Sequence, residues 1–209
     1  MKCRICYQKI FHKRGKQLAL CTSCLRHLEP VAYSKHLMTP KRYSFKFTVF
    51  YSYSDTVKTI VYNYKFLKNV KLSKTISSLI LESMDIKKQA DLIVPVPSHP
   101  LDEIKRGYSH MSIICKHISR STGIKNIEAL KRTIFPLLKR GQKLKARKQR
   151  LYGKKRFCLR VKPQTIHSKD IILVDDVTTT GATVTECAQA LLENGAKSVQ
   201  AICFALTRL

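Results

Sequence analysis

Acidic residues are scarce in this chain: 13 Asp and Glu stand against 40 Lys and Arg, a formal net charge of +27. Such an excess repels itself unless something acidic binds, and nucleic acid is the first partner to consider. A solvated basic surface without a partner is the plainer alternative. No apolar run is long enough to span a bilayer. The first residues include Lys2 and Arg4 but no apolar core behind them, so no secretory signal is read and a cytoplasmic location is expected. A helix-turn-helix pattern is also missing, which weighs against a DNA-reading regulator. At 209 residues there is room for one α/β domain and a small extra module.

The most informative stretch is Ile171-Ile172-Leu173-Val174-Asp175-Asp176-Val177-Thr178-Thr179-Thr180-Gly181-Ala182-Thr183. Four apolar residues predict a buried strand of a parallel sheet, with both carboxylates where the strand should end. Thr183 to Asn194 then predicts a helix with Val184, Cys187, Ala188, Leu191 and Leu192 on one face and Gly195 as its stop. A strand, a glycine-bearing turn and a helix start make an anion site, because free N–H groups and the helix dipole point at the turn. Two carboxylates are poor phosphate ligands, so the ligand should also offer hydroxyls or a divalent cation. A ribose 5-phosphate does. The plainer alternative is an ordinary turn with an acidic bend.

Cys3-x-x-Cys6 and Cys21-x-x-Cys24 frame the first segment, with fourteen residues between the pairs. Four thiolates so spaced suit a closed, structural Zn²⁺ site. Two disulfides and a redox pair are the alternatives; a reducing cytosol disfavours the first. His12 lies in the intervening loop and reads as a surface residue. Cys115, Cys158, Cys187 and Cys203 read as core or near-core residues.

Between these landmarks, Pro30 to Tyr43 reads as a basic connector and Phe45 to Tyr53 as a strand. A helix capped by Ser54 or Asp55 follows, with Val57, Ile60, Val61 and Tyr64 on one face, and Leu72 to Met84 reads as a second. Tyr62, Tyr64, Lys65 and Lys68 are the exposed candidates for stacking on bases, whereas the aromatics of Phe45 to Tyr53 are expected in the core. Asp91 to Pro97 predicts the next parallel strand, broken by prolines at its carboxyl end, where α/β sheets bind ligands. His99 is either a site residue or a plain loop residue. Arg106-Gly107-Tyr108 is expected to open a helix ended by Gly123. Residues 131–160 carry thirteen Lys and Arg and no acid, and read as a basic arm over the sheet. Ser198 to Leu206 is the last apolar strand.

The Asp-Asp-Val-Thr-Thr-Thr-Gly-Ala-Thr stretch resembles the phosphoribosyl pyrophosphate (PRPP) signature of type I phosphoribosyltransferases. With the cysteine pairs, Val94-Pro95-Val96-Pro97, Arg106-Gly107-Tyr108 and the basic stretch from Lys131, it resembles the ComF family (ComFC/GntX-like) along essentially the whole chain. The resemblance implies an α/β phosphoribosyltransferase fold, a parallel sheet flanked by helices, over residues 31–209 and a zinc-ribbon-like module over 1–30. It also implies a part in natural transformation, in which single-stranded DNA enters the cytoplasm. The helicase-like translocase ComFA is the implied partner, with a peripheral place at the inner membrane.

On this basis Asp175 and Asp176 would take the ribose hydroxyls. Thr179, Thr180, Gly181, Ala182 and Thr183 would hold the 5-phosphate, and Ser98 and Arg106 the pyrophosphate, with Mg²⁺. Lys139, Arg140, Lys143, Lys145, Arg147, Lys148 and Arg150 would bind DNA, while Arg140 or Lys143 could instead close over the diphosphate. The family commonly has Arg-Gly-Phe-Asn-Gln where this chain has Arg106-Gly107-Tyr108-Ser109-His110, and an Asn where Leu151 stands. Three functions remain open: a PRPP-dependent transferase, a nucleic-acid binder that keeps the PRPP site, and a PRPP-responsive regulator.

Overall fold

The computed structural model describes residues 2–10, 19–84, 90–133 and 156–207. A short helix, α1 (Thr22–Arg26), precedes strands β1 (Pro30–Met38) and β2 (Ser44–Ser52), helices α2 (Asp55–Lys65) and α3 (Leu72–Glu82) and strand β3 (Leu92–Pro95). Then come α4 (Pro100–Arg106), α5 (His110–Thr122), β4 (Lys125–Asn126), β5 (Leu130–Arg132) and β6 (Phe157–Leu159). After a 3-10 turn, β7 (Asp170–Thr178), α6 (Ala182–Leu192) and β8 (Ser198–Leu206) close the described chain.

The main sheet runs β1-β2-β8-β7-β3-β4, parallel throughout except for the antiparallel β1–β2 pair. Side chains alternate across a strand, so β7 feeds two cores at once. Ile172 and Val174 join Ile60, Ile76 and Ile114 on the face covered by α2, α3 and α5. Ile171 and Leu173 meet Val184, Cys187 and Leu191 of α6 on the other. The α/β sheet expected from the sequence is therefore the one found. The cysteine segment adds Cys3, Leu20, Cys21 and Cys24 to the first of these cores.

Several boundaries differ from expectation. The stretch read as a connector is largely β1, an edge strand, whose alternation is too weak to show in the sequence. It exists by pairing with β2, Tyr33 opposite Val49 and Leu37 opposite Phe45, and Pro30 is tolerated because it begins an edge strand. Arg106-Gly107 does not open a helix but ends one: Gly107 takes φ +81° and stops α4, and α5 starts afresh at His110. Strand β7 runs past both carboxylates to Thr178. The helix after it spans Ala182–Leu192, starting one residue earlier and ending two earlier than expected. Tyr64, expected to be exposed, is fully buried.

Strands β5 and β6 pair antiparallel, Lys131 opposite Cys158. The two ends of the basic arm thus lie side by side, and Arg156 pairs with Glu186 of α6. The expected DNA-contacting residues Lys139, Arg140, Lys143, Lys145, Arg147, Lys148 and Arg150 lie outside the described residues, as do His12 and Leu151.

Candidate functional site

Strands β3 and β7 are parallel neighbours, Pro95 beside Val174, so the segments leaving their carboxyl ends lie side by side. One carries Pro97, Ser98 and His99; the other carries Asp175 to Gly181. This juxtaposition is the expected ligand position in an α/β sheet.

Asp175 and Asp176 point to opposite faces and meet different fates. Asp176, 4% exposed, lies on the face of α2 and α5. Its Oδ2 accepts from Lys65 Nζ at 2.6 Å and from His110 Nε2 at 2.9 Å. Burial alone would raise its pKa, but Lys65 and His110 outweigh burial and hold it well below the usual carboxylate range. Asp175 makes no ion pair among the described residues. Burial first, and then the charge of Asp176, push its pKa up to about 7, which Lys65 and the backbone N–H of Asp176 offset only in part.

His110 uses both ring nitrogens. An ionised Asp176 can only accept, so Nε2 carries the hydrogen; in the neutral ring Nδ1 then accepts from the Ser98 hydroxyl, 3.0 Å away. The loop after β3 and the carboxylate of β7 are thus joined through one buried imidazole. Two tyrosines brace it: Tyr64 donates to the His110 carbonyl at 2.5 Å, and Tyr108 donates to the Tyr64 carbonyl at 2.9 Å.

The turn after β7 is local in origin. Thr178 Oγ1 accepts from the Gly181 amide at 2.9 Å, and Gly181 adopts φ +79° as the N-cap of α6. A Cβ at Gly181 would stand 3.4 Å from Leu37 Cδ1. Thr179, Thr180 and Ala182 are exposed and Thr183 half-buried, so the first-turn amides of α6 open towards solvent. Arg106 ends α4, and its Nε is buried with no hydrogen-bond partner among the described residues. A buried donor without an acceptor is costly, which leaves this N–H open to an acceptor from outside the described residues. His99 is the N-cap of α4, with its ring accepting from the Leu101 amide at 3.3 Å, which is a structural task.

Beside Ser98 lies a cleft of about 270 Å³ between the β3 loop, α5 and the β5–β6 pair. Glu128 lines it, accepting from Ser112 at 2.7 Å and pairing with Arg160. Two residues of the site escape sequence reasoning. Lys65 reads from the sequence only as a nucleic-acid candidate, and nothing local ties it to Asp176. His110 carries a signal, because it stands where the ComF pattern has Gln.

The four N-terminal cysteines converge: their Sγ atoms all lie within 4.8 Å of one another and could hold a metal ion. Cys3 and Cys24 stand 3.7 Å apart and Cys6 and Cys21 3.5 Å, and all are free thiols. Burial raises the Cys3 thiol, but backbone N–H donors outweigh it and bring it down to about 7, while burial and the neighbouring thiols push Cys24 up. Among the described residues no helix is long and apolar enough to cross a membrane.

Sheet order, carboxylate-bearing strand and glycine turn define an α/β protein with two buried acids and a helix start at the carboxyl end of a central strand, joined to a four-cysteine cluster. No protein-family model matches the sequence. The chain is 26% identical to competence protein F of Haemophilus influenzae, over 92% of this chain and 94% of that protein. It is 31% identical to the DNA utilization protein YhgH of Escherichia coli K12, over 74% of this chain and 69% of that protein. Competence protein ComFC of Streptococcus pneumoniae matches at 27% over 76% of this chain. The chain belongs to the ComF family of competence proteins.

Solved structures with a likeness include the allosteric regulatory enzyme of purine biosynthesis, at 17% identity over 63% of this chain and 25% of that one, with a TM-score of 0.45. Adenine phosphoribosyltransferase of Thermoanaerobacter pseudethanolicus is 12% identical over 83% of this chain and 95% of that one, with a TM-score of 0.41.

Proposed function

We propose that this protein binds PRPP at the carboxyl ends of β3 and β7, binds single-stranded DNA, and assists DNA import during natural transformation. The observation that carries the PRPP reading is the pairing of a carboxylate held ionised, Asp176, with a glycine-started helix five residues later. In this reading Asp176 and Asp175 accept from the ribose hydroxyls, and the turn of Thr179, Thr180, Gly181, Ala182 and Thr183 holds the 5-phosphate, Gly181 by shaping the turn while its own amide stays on Thr178 and the other amides and hydroxyls donate. Ser98 and the free Nε of Arg106 face the diphosphate. The DNA reading draws on the net charge of +27 and on the names of the relatives, competence and DNA utilization proteins.

The cysteine cluster suits Zn²⁺ in a structural role. A tetrahedral ion with Zn–S bonds of about 2.3 Å requires sulfurs about 3.8 Å apart, close to the spacings here. Four thiolates leave no open position for catalysis. Mg²⁺ fits differently. Asp176 is already engaged by Lys65 and His110, and Asp175 has a raised pKa, so the ion would arrive with the diphosphate, whose charge it neutralises.

A second reading is an active transferase. A nitrogen acceptor would attack the anomeric carbon of PRPP as the bond to the pyrophosphate oxygen breaks, and would then lose its proton. The cleft beside Ser98 favours keeping this reading, because it adjoins the proposed diphosphate position and offers Glu128 as an acceptor for an N–H group.

Titration calorimetry with Mg²⁺ and PRPP tests the first claim. Binding is expected for the wild type and lost in Asp176→Ala; no uptake by the wild type sinks it. Pyrophosphate release across a panel of nucleobases separates the transferase from the binder. A ComFA-like translocase remains the proposed protein partner, tested by co-purification.

A further inference from the structure

We propose that the outer face of α2 is a base-stacking platform for single-stranded DNA, built on Tyr62 and Phe66. This rests on the reading that the chain binds single-stranded DNA, and it adds a contact surface separate from residues 131–160.

Helix α2 buries Val57, Ile60, Val61 and Tyr64 against the sheet. Its opposite face should then be polar, yet it displays two large rings. Tyr62 is 52% exposed and Phe66 63%. They stand one helical turn apart, their ring centroids 5.3 Å from each other and their planes tilted by 39°. The apolar surface continues through Leu67, 59% exposed. Exposed aromatics packed on each other, rather than into a core, are ring faces open to a ligand.

The surroundings choose the ligand. From Thr56 to Leu81 the chain has five lysines and no acidic residue. Lys58 stands one turn before Tyr62 on the same face, and Lys68 follows Phe66. Rings that stack and cations that meet phosphates are together the recognition chemistry of single-stranded nucleic acid. A duplex hides its base faces within its own stack and offers nothing for the rings. The platform also lies beside the proposed PRPP site, since Lys65 of the same turn holds Asp176 at 2.6 Å.

The chain has no tryptophan, so Tyr62→Trp installs a single fluorophore on this face. Titrating that variant with an oligothymidine of about twelve nucleotides should quench its emission as bases stack on the indole. Tyr62→Ala with Phe66→Ala should weaken oligonucleotide binding at least about tenfold, and leave the slope of log affinity against log salt unchanged. Neutralising Lys139 and Arg140 should instead lower that slope by roughly one for each phosphate no longer neutralised. Wild-type binding that the double alanine variant retains in full would overturn the platform and leave the DNA reading standing. A wild type that binds no oligonucleotide would fell both. If the double variant melts lower than the wild type, the Tyr62→Trp titration decides, and unquenched emission on saturation overturns the proposal. It is equally overturned if the double variant keeps its oligonucleotide affinity but abolishes a wild-type dimer in sedimentation, or loses binding to phosphatidylglycerol vesicles.

Discussion

Lys65 and Asp176 meet across the interior of the candidate site, ammonium to Oδ2 at 2.6 Å, with side chains 21% and 5% exposed. The pair joins α2 to β7. Removing one partner leaves the other charge buried without compensation, which typically costs about 3–5 kcal/mol; the partial exposure of Lys65 places this pair towards the lower end. Lys65→Met is therefore expected to lower the melting temperature by roughly 6–12 °C, at about 2–4 °C per kcal/mol for a chain of this size. It should also weaken PRPP binding, because Asp176 loses the cation that keeps it ionised. A melting temperature equal to wild type would show that His110 alone suffices.

Asp175 gives a pH-dependent prediction. Its pKa in the folded protein is raised from 3.8 to about 7, so the folded state holds this proton more tightly than the unfolded chain does. The group therefore favours folding below pH 4, and that contribution is lost as pH rises through 7. Asp175→Asn mimics the protonated form. Below pH 4 it should melt close to wild type, with a gap that opens between pH 4 and 7 and reaches several degrees in its favour near pH 8. Equal differences at both ends of that range would mean that Asp175 is not a buried acid with a raised pKa.

Gly181 and Gly123 form a matched pair. Both take φ +79° and both cap a helix end, α6 at its start and α5 at its finish. An alanine in the left-handed region costs about 1 kcal/mol or somewhat more, so each variant should lose roughly 2–5 °C. Only Gly181→Ala should also reduce PRPP affinity, because only that turn presents amides to the proposed phosphate. Calorimetry on the two variants compares them directly; equal affinities would remove the turn from the site.

The cysteine cluster should matter beyond its own segment. Cys3, Cys21 and Cys24 share an apolar core with Phe50, Tyr51, Ile60 and Tyr64. Cys24→Ser, or stripping with a chelator, should therefore lower the melting temperature of the whole protein rather than release a local transition. Metal analysis of the wild type is expected to give one zinc per chain.

Much of this site was legible because its parts are local. A β-branched run, two acids and a threonine–glycine turn follow one another within thirteen residues, and neighbours in sequence are neighbours in space. The same holds for the cysteine pairs. Tyr64 was also legible from its spacing, since it shares a helical face with Val57, Ile60 and Val61; treating it as exposed ran against that face. Strand β1 was not legible because an edge strand has one partner and one wet face, so its register is set by β2 and not by its own pattern. The start of α4 could have been read from Pro100 at its first position, after which Gly107 becomes a stop. The bonds from Asp176 to His110 and Lys65 span 66 and 111 positions and could not be read at all, although the substitution at His110 marked the place.

One turn of α2 has three neighbours at once. Asn63 donates to the carbonyl of Arg4 at 3.4 Å in the cysteine segment, Lys65 grips Asp176, and Tyr62 and Phe66 look outward. Successive side chains of a helix leave it about 100° apart, so one turn reaches all three neighbours and shares one backbone among them. Loss of an ion from the cysteines, a ligand at the proposed sugar-phosphate site and a strand on the proposed platform would each tug on the same short piece of backbone, so none of the three would act in private.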